Sequence, residues 1–166
     1  MFSIIIPTYN NLEYLDITLS SILKNSKYNH EIIVFVNEGT DGSLEYLKKN
    51  NFKFLHSRKN LGLCTSVNIA AKKATTDYIL YSHDDMYFCP NWDIFLLEEV
   101  KKVKTDKFYF SASMIEKNSG HIQFDAGDTF SNFDEKKLLS NLNLFKFFDF
   151  QGTHWAPHLI HKNICN

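Results

Sequence analysis

The chain has 166 residues, of which 44% are apolar and 22% charged, with a net charge of −1. Those totals describe one globular domain, or most of one, with enough chain for a real core. They exclude an electrostatically driven nucleic-acid binder, and no apolar run approaches the roughly 18 residues of a membrane span. Three cysteines, Cys64, Cys89 and Cys165, show no C-x-x-C spacing and fit a reducing compartment. Met1 runs straight into an apolar segment with no room for a signal-peptide core, so the expected setting is cytoplasmic.

Periodicity alternates along the first half. Residues 2–6 form a short apolar run closed by Pro7, and Leu12, Leu15, Leu19, Ile22 and Leu23 then recur at helical spacing. Residues 31–36 are a second β-branched run, closed by Gly39 and Asp41-Gly42. A short helix over 44–49 and a third strand over 52–55 follow. The pattern then predicts a helix over 65–74 and a fourth strand over 78–81. Alternation at this spacing implies βαβ units and a mostly parallel sheet covered on both faces, an α/β fold.

After Pro90, residues 92–103 read as an amphipathic helix. Residues 108–115 and 121–124 are expected strands joined by a turn at Asn118-Ser119-Gly120, and 134–142 resemble a helix. The tail holds two extended pieces, 145–150 and 156–161, separated by Gly152.

Ligands of open α/β sheets collect beyond the carboxyl ends of the strands. Four such ends bring polar clusters to one edge: Pro7-Thr8-Tyr9-Asn10, Asn37-Glu38-Gly39-Thr40-Asp41, His56-Ser57-Arg58 and Ser82-His83-Asp84-Asp85. The last cluster is the most informative. Two adjacent carboxylates repel each other and lose heavily on leaving water, penalties that a divalent cation with hard oxygen ligands offsets. A solvated acidic turn before Pro90 is the plainer alternative.

Together these residues resemble the nucleotide-sugar-binding half of a family 2 glycosyltransferase with the Rossmann-like GT-A fold. Ser3-Ile4-Ile5-Ile6-Pro7-Thr8-Tyr9-Asn10 is similar to the family's opening strand and turn. Asn37-Glu38-Gly39-Thr40-Asp41-Gly42-Ser43 resembles its D-N-G-S-T-D-G loop, and Asn60-Leu61-Gly62 with Asn68 and Ala71 its N-x-G…N-x-x-x-A segment. Ser82-His83-Asp84-Asp85 stands where the family has its metal-binding D-x-D region. The tail from Gly152 to Lys162 resembles the stretch before the family's G-G-F-D-E segment.

The resemblance implies transfer of a sugar from a nucleotide-diphosphate donor to a hydroxyl acceptor, with Mg²⁺ or Mn²⁺ as cofactor and, as in most of the family, inversion at the anomeric carbon. It assigns residues 1–90 to nucleotide binding and 91–166 to the start of an acceptor half. Asp85 becomes the metal ligand, and Asp84 a contact to ribose or donor sugar. Pro7, Thr8 and Tyr9 line the base pocket, Asn37 and Glu38 open the second loop, and Arg58 reaches phosphate with a planar fork.

Each assignment has a plainer counterpart: turn chemistry for Thr8, Tyr9 and Asp41, a solvated side chain for Arg58, and packing for His154, Trp155, His158 and His161. Asn60 and Asn68 read as capping or packing residues. Two departures stand out. Asn37 replaces an Asp whose carboxylate accepts the uracil N–H, and His83 or Ser82 replaces the first D-x-D acid. The family's acidic base past G-G-F has no counterpart before Asn166. The expectation is therefore donor binding, with transfer weak or dependent on a partner or a homodimer. The alternative is a non-catalytic nucleotide-sugar-binding module or a truncated remnant needing a partner. A nucleotidyltransferase would carry a Gly-rich basic loop after the first strand, which Pro7-Thr8-Tyr9-Asn10 does not supply.

Overall fold

The computed structural model describes residues 1–148 and 156–164. Seven elements alternate as expected: β1 (Phe2–Tyr9), α1 (Leu12–Asn25), β2 (Glu31–Asn37), α2 (Ser43–Lys49), β3 (Lys53–Ser57), α3 (Leu63–Ala71) and β4 (Tyr78–Tyr81). They are followed by α4 (Trp92–Lys102), β5 (Tyr109–Ser111), β6 (Ile115–Glu116), β7 (Ile122–Gln123), α5 (Glu135–Asn141) and β8 (His158–His161).

Six strands form one sheet in the order β3-β2-β1-β4-β8-β5. The first four run parallel, and β8 pairs antiparallel with β4, Tyr81 opposite His158. β1 lies inside the sheet, and seven of its eight residues are buried, as a strand covered on both faces requires. Ile4, Ile6, Val34, Val36, Leu80 and Leu159 face one way, against Leu15, Leu19 and Ile22 of α1, Leu47 of α2 and Leu96 and Val100 of α4. Ile5, Ile33, Phe35 and Ile79 face the other, where Val67, Ala70 and Ala71 of α3 pack. Small residues on α3 let it lie close to the sheet.

The chain divides into two compact units, residues 1–110 with 157–166, and residues 111–156. The expected strand over 108–115 is interrupted, leaving β5 in the six-stranded sheet and β6 in the second unit as separate short pieces. β6 and β7 pair parallel, with Ile122 N donating to Met114 O at 3.0 Å and Phe124 N to Glu116 O at 3.1 Å. So short a parallel return is held by the Glu116 carboxylate, which accepts from both the amide and the hydroxyl of Ser119. It also needs Gly120, where a Cβ would stand 2.7 Å from both Glu116 N and Met114 O.

Helix α3 begins two residues earlier and ends three residues earlier than its apolar pattern suggests. Gly62, at φ 78°, turns the chain into it, and beyond Ala71 the bonds Lys73 N to Ala70 O and Ala74 N to Ala71 O tighten its end. Among the described residues of the tail, the strand formed is β8, within the expected extended piece over 156–161. Asp149, Gly152, His154, Trp155 and Cys165 lie outside the described residues.

Candidate functional site

A groove of about 320 Å³ opens beyond the carboxyl ends of β1, β2 and β4. Pro7, Thr8 and Tyr9 supply the β1 side, with Asn10 and Asn11 of the following turn. Asn37 comes from β2, Asn60, Gly62 and Leu63 from the entry to α3, and Asp84 from the loop after β4. A larger concavity of about 700 Å³ lies elsewhere, beside Asp106, Tyr109, Ile160 and Asn163. It adjoins the strand end opposite Asp84, since Asn163 follows the His161 that pairs with the first residue of β4.

The strand ends are sharply turned. Asn10 at φ 48° and Glu38 at φ 59° both take the left-handed region, an uncommon conformation for side chains other than glycine. Gly39, at φ 75°, completes the second turn where a Cβ would meet Val36 Cγ1 at 2.8 Å. The two loops are then tied together. Asn10 Oδ1 accepts from Thr40 N at 2.9 Å, and Asp41 Oδ2 accepts from Leu12 N at 2.7 Å. Asp41 Oδ1 takes the amide and hydroxyl of Ser43. Burial alone would raise the Asp41 carboxyl, but these donors outweigh it and hold the group below its usual range. Asp41 thus caps α1 from another loop, because Asn11 makes no side-chain cap of its own.

Asn37 forms the buried floor of the groove. Its Nδ2 donates to Thr8 O at 3.3 Å and to Ser66 Oγ at 3.0 Å, while Oδ1 accepts from Leu61 N at 2.9 Å. The Ser66 hydroxyl also donates to Gly62 O at 2.8 Å. One amide therefore joins β1, β2 and the entry to α3.

Thr8 is 3% exposed, and its hydroxyl lies beside the Asp84 carboxylate without a well-formed hydrogen bond to any described residue. Such an orphan costs free energy unless something binds it. Beside it, burial raises the Asp84 carboxyl above the usual carboxylate range. The Thr8 and Asn11 side chains pull the other way, and the neighbouring Asp85 adds to the rise. Asp85 itself is exposed, its Oδ1 3.9 Å from His83 Nδ1. Behind this pair the Tyr81 hydroxyl is buried with no hydrogen-bond partner among the described residues, pushed up to about 12 chiefly by burial, with Cys64, Asp85 and Asp84 adding to it.

Among the described residues no three His, Cys, Asp or Glu side chains converge on one point. The Asp84–Asp85 pair nevertheless suits Mg²⁺ or Mn²⁺, which bind through one or two carboxylates and take phosphate and water for the rest. Its side chains offer hard oxygens, and Asp85 is open to solvent.

Of the residues singled out by sequence, Pro7, Thr8, Tyr9, Asn37 and Asp84 line the groove, and Asp85 adjoins it. Glu38 and Arg58 do not line it. Glu38 uses its backbone to meet β3, with Ser57 O accepting from its amide at 2.8 Å, and Arg58 is exposed one residue past that strand. Asn60 and Leu63 were not expected there. Asn60 does what a capping residue does, accepting from Gly62 N at 2.9 Å, and still presents a groove wall.

The family model for glycosyl transferase family 2 matches residues 3–161. The chain belongs to that family. Among its relatives is an uncharacterized glycosyltransferase of Haemophilus influenzae, 28% identical over 142 residues, covering 80% of this chain and 44% of that protein. The family 2 chain spans less than half the length of the curated relatives it matches. Among solved structures, S. aureus TarS 1–349 in complex with UDP superposes with a TM-score of 0.63 at 24% identity, over 74% of this chain and 38% of that one. A mannosyltransferase from Pyrobaculum calidifontis, in complex with GDP-Man and Mn²⁺, gives 0.54 at 21% identity, over 63% and 32%. These likenesses show the glycosyltransferase fold, a mostly parallel six-stranded α/β sheet of Rossmann-like type.

Proposed function

We propose that the groove holds the nucleoside diphosphate of a sugar donor, and that the chain is the donor-binding part of a metal-dependent glycosyltransferase. The observation that carries this reading is the buried Thr8 hydroxyl beside Asp84, without a well-formed hydrogen bond among the described residues, at the strand ends where α/β sheets bind nucleotides. Tyr9, half exposed, offers a ring face to the base. Pro7, Thr8 and Asn37 form the floor, Asp84 meets ribose or donor sugar, and Glu38 and Arg58 approach from the rim, Arg58 toward phosphate. Asp85, with Asp84 behind it, would hold Mg²⁺ or Mn²⁺. That ion supplies Lewis-acid neutralisation of the departing diphosphate.

Transfer forms a bond from an acceptor hydroxyl oxygen to the anomeric carbon and breaks the bond to the diphosphate oxygen. Single displacement inverts the anomeric centre and needs a base for the hydroxyl proton. Residues 1–90 carry the donor half in this reading, and 91–166 begin the acceptor half. A second reading, a binding module completed by a partner, draws on the second unit. There Asp125 and Asp128 both face Lys117 Nζ, at 3.1 and 3.9 Å. The Gly127 amide and Lys117 hold the Asp125 carboxyl below its usual range, which suits it poorly to act as base.

Calorimetric titration of UDP and GDP with Mn²⁺ or with chelator, on the unaltered chain and on Asp85→Ala, tests the proposal. Metal should tighten binding of one diphosphate at least about tenfold, and the substitution should abolish that gain. Equal affinity under all conditions would sink the metal assignment, and no binding would sink the donor site.

A further inference from the structure

Charge is unevenly distributed along this chain. The 31 residues from 46 to 76 hold seven of its 18 Lys and Arg and none of its 19 Asp and Glu, leaving the remainder net acidic. They are Lys48, Lys49, Lys53, Arg58, Lys59, Lys72 and Lys73, and all seven are exposed. Structurally the segment is the end of α2, the edge strand β3 and helix α3, so the cations gather around one edge of the sheet. Among the described residues only Lys53 of the seven is in an ion pair, with Glu31 at 2.7 Å.

The same segment exposes aliphatic side chains. Leu61, Leu63 and Ile69 are 39%, 51% and 37% exposed, although α3 has a sheet against which Ser66 and Ala70 are fully buried. Apolar tips framed by lysines and an arginine form a surface that lies in the boundary between lipid headgroups and acyl chains. Binding to such a boundary scales with the apolar area buried in it plus the electrostatic attraction to anionic lipid, so the two features add.

We infer that the β3–α3 face docks this chain on an anionic lipid bilayer. Two other occupants fit less well. A second copy paired through this face would set Lys53, Arg58, Lys59, Lys72 and Lys73 against the same five cations. Single-stranded nucleic acid is gripped by stacking on aromatic rings, and none of the exposed large aromatic side chains falls between residues 46 and 76. The inference does not rest on the donor reading, but it has a consequence for it. Asn60, Gly62 and Leu63 wall the groove, so docking brings the groove mouth to the lipid surface.

Vesicle co-sedimentation of the whole chain tests this, using phosphatidylcholine alone or with about one-third phosphatidylglycerol. Binding is expected to need the anionic lipid and to weaken steeply as salt rises. The triple substitution Lys59→Ser, Lys72→Ser, Lys73→Ser should weaken it about 10²-fold, roughly fivefold for each basic residue. Ile69→Ser should weaken it by a factor that salt does not change. None of these residues lines the groove, so unchanged melting temperature and diphosphate affinity will show that the variants fold. Equal binding to neutral vesicles, no binding to either, or an undiminished triple variant would overturn the inference. So would tighter binding to a DNA duplex than to the anionic vesicles at the same salt.

Discussion

Asp93 is the side chain whose removal should cost this fold most. It is fully buried at the start of α4, and its Oδ2 accepts from Lys27 N and Tyr28 N at 2.9 Å each and faces His30 Nε2 at 3.0 Å. Oδ1 accepts from Ile94 N at 3.0 Å. The histidine is stacked on Phe2 at 5.1 Å, and its Nδ1 accepts from Phe2 N, so the ring is neutral and donates through Nε2. Asp93→Ala strands several part-buried donors at once, each worth about 1–3 kcal/mol when fully cut off from water. With partial relaxation the loss should be about 3–5 kcal/mol, a large share of the roughly 5–15 kcal/mol that holds a domain folded. In urea, at about 1–3 kcal/mol per molar, the unfolding midpoint should fall by about 2 M.

Acid should act in the same direction in the unaltered chain. Burial depresses His30, against the opposing pull of Asp93, so the unfolded chain takes up the proton first. Stability is then lost as pH falls below about 6.5, the ordinary histidine value. Burial would raise Asp93, but the Tyr28 and Lys27 amides and His30 outweigh it and depress the carboxyl. Its contribution is present above about 3.9 and disappears as pH falls through the lower folded value. A loss under about 1 kcal/mol in Asp93→Ala, or a midpoint unchanged between about pH 7 and 5.5, would refute this reasoning.

Two further substitutions probe the groove. Asn37→Asp places a carboxylate oxygen where Nδ2 now donates to Thr8 O, so it should cost about 1–3 kcal/mol and bring no gain in UDP affinity. Thermal unfolding with calorimetry checks both, and tighter UDP binding at unchanged stability would show that position 37 reads the base. Arg58→Lys keeps the charge and loses the planar fork, so it should weaken binding of the diphosphate more than of the nucleoside. Equal weakening of the two ligands would remove Arg58 from the phosphates.

The first half of the fold was legible because strands covered on both faces read as near-continuous apolar runs, as residues 4–6 and 32–36 do. Helix α3 was harder to bound. Leu63 begins it yet is exposed, so its apolar character marks no buried face. The second unit's strands are two residues long, too short to carry a period, and β7 is fixed by its pairing with β6. Nothing periodic announces that β8 inserts antiparallel beside β4, because strand order is decided by tertiary packing.

The site divides in the same way. Thr8, Tyr9, Asn37 and Asp84 follow from their place at strand ends. Glu38 and Arg58 share that place in sequence but sit toward β3, the edge strand, and so miss the groove wall. Asn60 and Leu63 reach the groove through the turn at Gly62, whose conformation is visible only in three dimensions. Asp41 looked like an Asp-Gly turn and is one, yet its carboxylate also secures the first turn of α1.

The donor groove is tested most directly by amide NMR of the ¹⁵N-labelled chain, titrated with a nucleoside diphosphate in the presence of Mg²⁺. The largest shift changes should fall on Thr8, Tyr9, Asn37, Asn60, Leu63, Asp84 and Asp85, and should collapse when chelator is added. Changes centred on Tyr109, Ile160 and Asn163, around the other concavity, or no changes at all, would contradict the account.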